Sequence, residues 1–190
     1  MTLSIITINY NNRDGLQKTI DSVLSQTWTD YEWIVIDGGS TDGSKELIER
    51  YQEHLAYWCS EPDKGVYNAM NKGIAKAKGE YLNFMNSGDV FYEAETLKNV
   101  FIKERTADIL YGDYLQVSDA HSKLINYPNP IDFYSFYNCM ICHQALMIKA
   151  CWLKEQGYDE SMKICSDWKH LLWMALKGAT FEHVGVPVCR

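Results

Sequence analysis

The chain has no long run of lysine or arginine, and acid outweighs base: 18 Lys and Arg stand against 25 Asp and Glu, a formal net charge of -7. That balance argues against a nucleic-acid binder whose affinity comes from neutralising phosphates. No apolar run reaches membrane-spanning length, and the N-terminus MTLSIITINYNN has neither a basic n-region nor a small-residue cleavage pattern. A cytoplasmic protein is expected. Internal repeats, linkers and low-complexity segments are also missing. With 46% hydrophobic and 23% charged residues, the composition is that of one globular domain over residues 1–190.

Cysteine is present but lacks the partners that would give it chemistry. Cys139-Met-Ile-Cys142-His143 matches C-x-x-C-H, the pattern of c-type haem attachment. That attachment occurs outside the cytosol, so haem is rejected. No second C-x-x-C or H-x-x-x-H completes a four-coordinate zinc site. The six cysteines, Cys59, Cys139, Cys142, Cys151, Cys165 and Cys189, lie mostly in apolar segments and read as reduced core thiols.

The stretch Ile34 to Lys45, IVIDGGSTDGSK, runs from an apolar strand into a glycine-rich turn. A phosphate-cradling loop needs G-x-x-x-x-G-K-[ST], but Ser44 precedes Lys45. A dinucleotide fingerprint needs G-x-G-x-x-G, which Gly38, Gly39 and Gly43 do not form. What remains is a strand-end carboxylate, Asp37, on a turn where Thr41, Asp42 or Ser44 can cap a helix. Asp37 serves either a ligand at the carboxyl edge of a sheet or its own turn.

Hydrophobic patterning supplies the rest of the frame. Leu3 to Ile8, Trp33 to Ile36, Leu55 to Cys59 and Tyr81 to Met85 read as buried strands. Between them fall helical patterns: Leu16, Ile20, Val23 and Leu24 after caps at Asn11 and Asn12; Leu47, Ile48, Tyr51 and Leu55; and Tyr67 to Lys78, closed by Gly79. Leu97, Val100 and Phe101 suggest another helix. Ile109 to Val117 and Lys123 to Tyr127 read as an antiparallel pair, Gln144 to Ile148 as a strand and Ala150 to Gln156 as a helix. A last helix begins near Asp167, with Trp168, Leu171, Leu172, Ala175 and Leu176 as its buried face and Gly178 as its stop, before one more strand. Alternating strands and helices predict an α/β fold, a parallel sheet covered on both faces with ligands at the strands' carboxyl ends. Those ends carry Tyr10 and Asn11, Asp37, Asp63 and Lys64, and Asn86-Ser87-Gly88-Asp89.

Five segments in order resemble the inverting nucleotide-sugar glycosyltransferases of family 2, which have the GT-A fold. They are SIITINYNN; SVLSQTW with YEWIVIDGGSTDGS; EPDKGVYNAMNKGIAKAKGEYLNFMNSGD; HQALMIK; and GYDESMKICSDWKHLLWMALKG. The resemblance implies a Rossmann-like, mostly parallel sheet with a small antiparallel acceptor-side region. Residues 1–90 would form the nucleotide-sugar half and residues 91–190 the acceptor half, which ends early by the family's pattern.

The resemblance also implies roles. Asp167 matches the base that takes a proton from the acceptor hydroxyl. Asp89 matches the last carboxylate of the metal motif, here Ser87-Gly88-Asp89 where the family has Asp-x-Asp or Asp-Asp, and implies a divalent cofactor, Mn2+ or Mg2+, bridging to a diphosphate. Tyr10, Asp37, Asp63, Lys64, Asn71 and Ser87 are placed on the donor side, with Asn71 also able to bond the second-strand turn. His143 is assigned to the acceptor or diphosphate side. As bare residues, Asp89 closes a turn, Asp167 caps a helix and His143 heads a strand. The aromatics Phe133, Tyr134, Phe136 and Tyr137 read chiefly as core, with a sugar-stacking wall or a lipid-facing patch as alternatives.

The expected activity is inverting transfer from a nucleoside diphosphate sugar to a glycan or lipid-linked acceptor in cell-surface polysaccharide synthesis, at the inner face of the membrane. The second reading is a nucleotide-sugar-binding module without turnover. A nucleotidyltransferase would need a basic glycine-rich N-terminal loop, which SIITINYNN does not supply.

Overall fold

A computed structural model describes residues 1–118, 121–138 and 140–190. Strands β1 (Leu3–Asn9), β2 (Tyr31–Asp37), β3 (Tyr57–Ser60) and β4 (Tyr81–Phe84) form a parallel block in the order β3-β2-β1-β4. The sheet continues through β7 (Leu146–Lys149), β5 (Ile109–Val117) and β6 (Ser122–Ile125), each antiparallel to its neighbour, while β8 (Phe181–Cys189) lies parallel to β5. Parallel pairs therefore hold β1 to β4, and antiparallel pairs dominate the rest of the sheet.

Alternation along the strands builds two cores, because successive side chains point to opposite faces. Ile6, Ile8, Ile34 and Ile36 pack on one face against Tyr67, Met70 and Ile74 of α3 (Val66–Lys76), Leu153 of α6 (Ala150–Glu155), and Leu171 and Met174 of α7 (Ser166–Leu176). Leu3, Ile5, Trp33 and Val35 face the other way, onto Leu16, Ile20 and Val23 of α1 (Arg13–Leu24), Leu47 and Ile48 of α2 (Ser44–Arg50), and Leu97 and Val100 of α4 (Thr96–Val100). Asn12 caps α1 by accepting the Gly15 N–H at 3.2 Å. Among the described residues no helix is long and apolar enough to cross a membrane.

Several local expectations are corrected. Helix α2 ends at Arg50 and a 3-10 turn over Gln52–His54 follows, so Tyr51 and Leu55 do not continue it. The chain must turn there because Ala56 already bonds to Trp33, alongside β2. Gly79 is not the cap of α3, which ends at Lys76 and is capped by Ala77 in an extended conformation. It lies so close to β1 that a Cβ would sit 2.6 Å from the Leu3 carbonyl carbon. Helix α7 buries Ser166, His170, Leu171 and Met174, whereas Leu176 is exposed. Cys165, in the left-handed region at φ 64°, precedes it, and neither Ser166 nor Asp167 acts as the N-cap. Of the cysteines, Cys189 is buried, Cys59, Cys142 and Cys165 are half-buried and Cys151 is exposed, all as free thiols. Cys139 lies outside the described residues, as do the side chains of Phe133 and Tyr137 within α5 (Phe133–Asn138). Phe136 is core and Tyr134 is exposed.

Candidate active site

The parallel register places Asn9, Asp37 and Ser60 side by side at the ends of β1, β2 and β3. Asp37, in the middle, accepts from Asn9 Nδ2 at 2.7 Å, Ser60 Oγ at 2.6 Å and the Ser40 backbone N–H at 2.9 Å, and also from the Ser40 hydroxyl. Burial alone would raise its pKa, but these donors hold it below the usual carboxylate range. Its side chain is fully enclosed, so Asp37 builds the floor of the site by fixing its own turn.

Above that floor a cleft of about 700 Å³ opens between Tyr10, Gly38, Asp63 and the turn at Asn86 and Ser87. Tyr10 is 67% exposed, a ring free to stack on a flat ligand. Asp63 accepts the Gly65 N–H through Oδ1 at 2.8 Å. A Cβ on Gly38 would lie 2.6 Å from Asp63 Oδ2 and 3.1 Å from the Tyr10 ring, so glycine leaves the gap between them open. Lys64 is exposed and is not a cleft-lining residue, although its backbone N–H bonds to Asn68 Oδ1.

The far wall is the turn after β4. Gly88 adopts φ 105°, which favours glycine, and its N–H bonds to Thr19 Oγ1 at 3.0 Å. Asn12 donates to the Ser87 carbonyl at 2.9 Å, tying the turn to the start of α1. The Asp89 carboxylate accepts from Gln144 Nε2 at 2.7 Å, and burial, outweighing that bond and the nearby His143, raises its pKa. Among the described residues no group of three or more His, Cys, Asp or Glu could hold a metal ion. The residues present therefore do not by themselves make a cation cage.

Strand β7 runs antiparallel to β4, which brings the 3-10 turn His143–Ala145 to the same edge. Asn83 fixes that turn by donating to the Gln144 and Leu146 carbonyls at 2.9 and 2.8 Å. His143 Nε2 then meets Asn86 Nδ2 at 2.8 Å, and Nδ1 meets Asp167 Oδ2 at 3.2 Å. Asp167 lies in the first turn of α7 and accepts from the Tyr67 hydroxyl at 2.9 Å. Burial would raise Asp167, but His143 and Tyr67 bring its pKa below the ordinary carboxylate value. Asn71 lies apart from the cleft: it brackets Tyr158 through the backbone N–H and carbonyl, both at 2.9 Å, and bonds Glu160 at 2.9 Å. It therefore anchors the loop leading into α7 and makes no bond to the second-strand turn.

The structure thus groups Tyr10, Asp63, Ser87, Asp89, His143 and Asp167 along one edge, with Asp37 beneath. Sequence reading gave no role to Tyr67, Gln144 or the side chain of Asn86. Gln144 stands in HQALMIK beside His143, whereas Tyr67 is 100 positions from its partner Asp167 and carries no local signal.

Residues 4–119 match the family model described as glycosyl transferase family 2. The chain belongs to that family. It is 50% identical over 91 residues to an uncharacterized glycosyltransferase of Mycobacterium tuberculosis, covering 47% of this chain and 35% of that one. To TuaG of Bacillus subtilis, a putative teichuronic acid biosynthesis glycosyltransferase, it is 31% identical over 98% of this chain and 76% of the relative. The chain thus spans about a third of the first relative and three quarters of the second. The solved structure of S. aureus TarS 1-349 in complex with UDP-GlcNAc superposes with a TM-score of 0.82 at 19% identity, covering 100% of this chain and 58% of that one. The family 2 chain therefore has the GT-A fold expected of it.

Proposed function

We propose that this chain moves a glycosyl unit from a nucleoside diphosphate sugar to a hydroxyl of a glycan or lipid-linked acceptor, with inversion, in cell-surface polysaccharide synthesis. The carrying observation is that the ionised Asp167 is joined through His143 to Asn86, a residue of the cleft wall. In this reading Tyr10 and Asp63 receive the nucleoside, and the turn at Ser87 and Asp89 faces the diphosphate. Asp167 removes the acceptor proton as the acceptor oxygen attacks the anomeric carbon from the face opposite the leaving group. The anomeric carbon–oxygen bond breaks, and its electron pair leaves with the nucleoside diphosphate. A lipid-linked acceptor would bring the chain to the inner face of the membrane.

Calorimetric titration with UDP, GDP, dTDP and CDP, followed by turnover of the matching sugar donor, tests this. Asp167→Asn is expected to keep nucleotide binding and lose transfer by at least about a hundredfold. Binding without turnover in the unaltered chain overturns the enzymatic reading in favour of a nucleotide-sugar-binding module.

A further inference from the structure

Asp167 is held at both oxygens, and each holder is itself held. Tyr67 accepts the Ser166 backbone N–H at 3.0 Å, which leaves its one hydroxyl proton for Asp167 Oδ1. On the other side, His143 sits between Asn86 and Asp167 Oδ2. Asn86 Oδ1 is buried with no hydrogen-bond partner. Two states of the imidazole fit this seat. With Asn86 Nδ2 facing Nε2, the ring is neutral and carries its proton on Nδ1, toward Asp167. Turning the amide over brings Oδ1 against Nε2, which then carries a second proton, and the ring is a cation. Both states keep Nδ1–H directed at the carboxylate.

We propose that His143 is a positioning residue for the base: seated between Asn86 and Asp167, it donates its Nδ1–H to the carboxylate, fixes its orientation and couples it to the donor-cleft wall. This rests on Asp167 being the base. The groups facing His143 are Asp167, Asp89 and Cys142; those facing Asp167 are His143, Tyr67 and Tyr158. Burial alone would make His143 harder to protonate, but its bond to Asp167 and the neighbouring negative groups reverse that. Tyr67, pushed up to about 12 by burial and by Asp167, stays a neutral donor throughout. During transfer the acceptor proton passes to an Asp167 oxygen, while His143 keeps its own Nδ1 proton and holds the carboxylate in line.

The test uses His143→Asn, whose amide can keep a neutral donor near the Nδ1 position, and His143→Ala, which keeps none. With aspartate carboxyls labelled with carbon-13 and Asp167 assigned by its loss in Asp167→Asn, the Asp167 titration is expected to move to higher pH in both variants, further in Ala. In turnover of a sugar nucleotide, the acid limb of kcat should move the same way. For Ala, kcat should fall at least about tenfold with donor KM within about twofold, and Asn should recover part of the loss. An unmoved Asp167 titration in both variants, with melting temperatures showing them folded, overturns the proposal. So does a kcat loss without a shifted acid limb. If Asp167→Asn retains full turnover, the base reading fails, while the titration still reports whether His143 controls the carboxylate.

Discussion

Gln144 holds one oxygen of Asp89 at 2.7 Å from the turn that precedes an antiparallel strand. That carboxylate is therefore oriented by the antiparallel part of the sheet, and among the described residues it belongs to no group of three or more His, Cys, Asp or Glu that could hold a metal ion. A divalent ion there would need the donor's diphosphate to complete its ligands. Manganese alone is expected not to bind below about 1 mM, and to bind once a nucleoside diphosphate is present. Gln144→Ala should weaken the nucleotide-dependent binding by about tenfold, because the carboxylate loses its orienting bond. Calorimetry with and without nucleotide decides this, and tight binding to the ligand-free chain would contradict it.

Gly38 separates Asp63 from Tyr10, and the gap between them is too narrow for even one methyl group. Gly38→Ala pushes the Asp63 carboxylate out of place, since the added Cβ would stand 2.6 Å from Oδ2. Nucleotide affinity is expected to fall by about tenfold, or ~1.4 kcal/mol, with the melting temperature nearly unchanged. An unchanged dissociation constant would remove Asp63 from the nucleoside site.

Asp37 and Asp63 should part company under the same pair of measurements. Asp37→Ala leaves the side chains of Asn9, Ser40 and Ser60 without their shared acceptor, and is expected to cost about 3 kcal/mol of stability. The depressed Asp37 carboxyl gives stability that is present above the ordinary value of 3.8 and is lost as pH falls through its lower folded value. Asp63→Ala should instead leave the melting temperature in place and weaken nucleotide binding. Denaturant unfolding of both variants distinguishes a floor residue from a contact residue.

The parallel half was legible because its strands are covered on both faces. Leu3 to Ile8 is a nearly unbroken apolar run and Trp33 to Ile36 a fully apolar one, and each is followed by polar residues at the sheet's open edge. The chain of bonds from Asn86 through His143 and Asp167 to Tyr67 was not legible, because it joins residues 57, 24 and 100 positions apart, brought together by β7 packing antiparallel on β4 and by α7 meeting α3. Helix α7 misled for the same reason. Its apolar residues cover more than one face, and tertiary contacts chose the side bearing His170 and Met174 over the side ending in Leu176. Asn71 illustrates a further limit. It stands on the helix facing the cleft, but an asparagine pattern says nothing of which backbone its amide will bracket, and here that backbone is Tyr158.

His170 yields a prediction with its own sign. It is 2% exposed, stacks on Trp173 at 5.2 Å and meets Tyr158 edge-on. Burial lowers its pKa from 6.5 to about 4, so the folded chain keeps it neutral while the unfolded chain protonates below 6.5. Stability must then fall as pH drops from 6.5 toward 4, by about 2 kcal/mol from this residue between pH 7 and pH 5. His143 works in the opposite direction, since its raised folded value contributes stability that is complete below 6.5 and is lost as pH rises through that value. His170→Phe keeps the stacking surface and removes the proton site, so the loss of melting temperature between pH 7 and pH 5 should shrink. Thermal melts of both proteins at the two values test it. An equal loss in the variant would mean that His170 is accommodated in its charged form and that the acid sensitivity lies elsewhere.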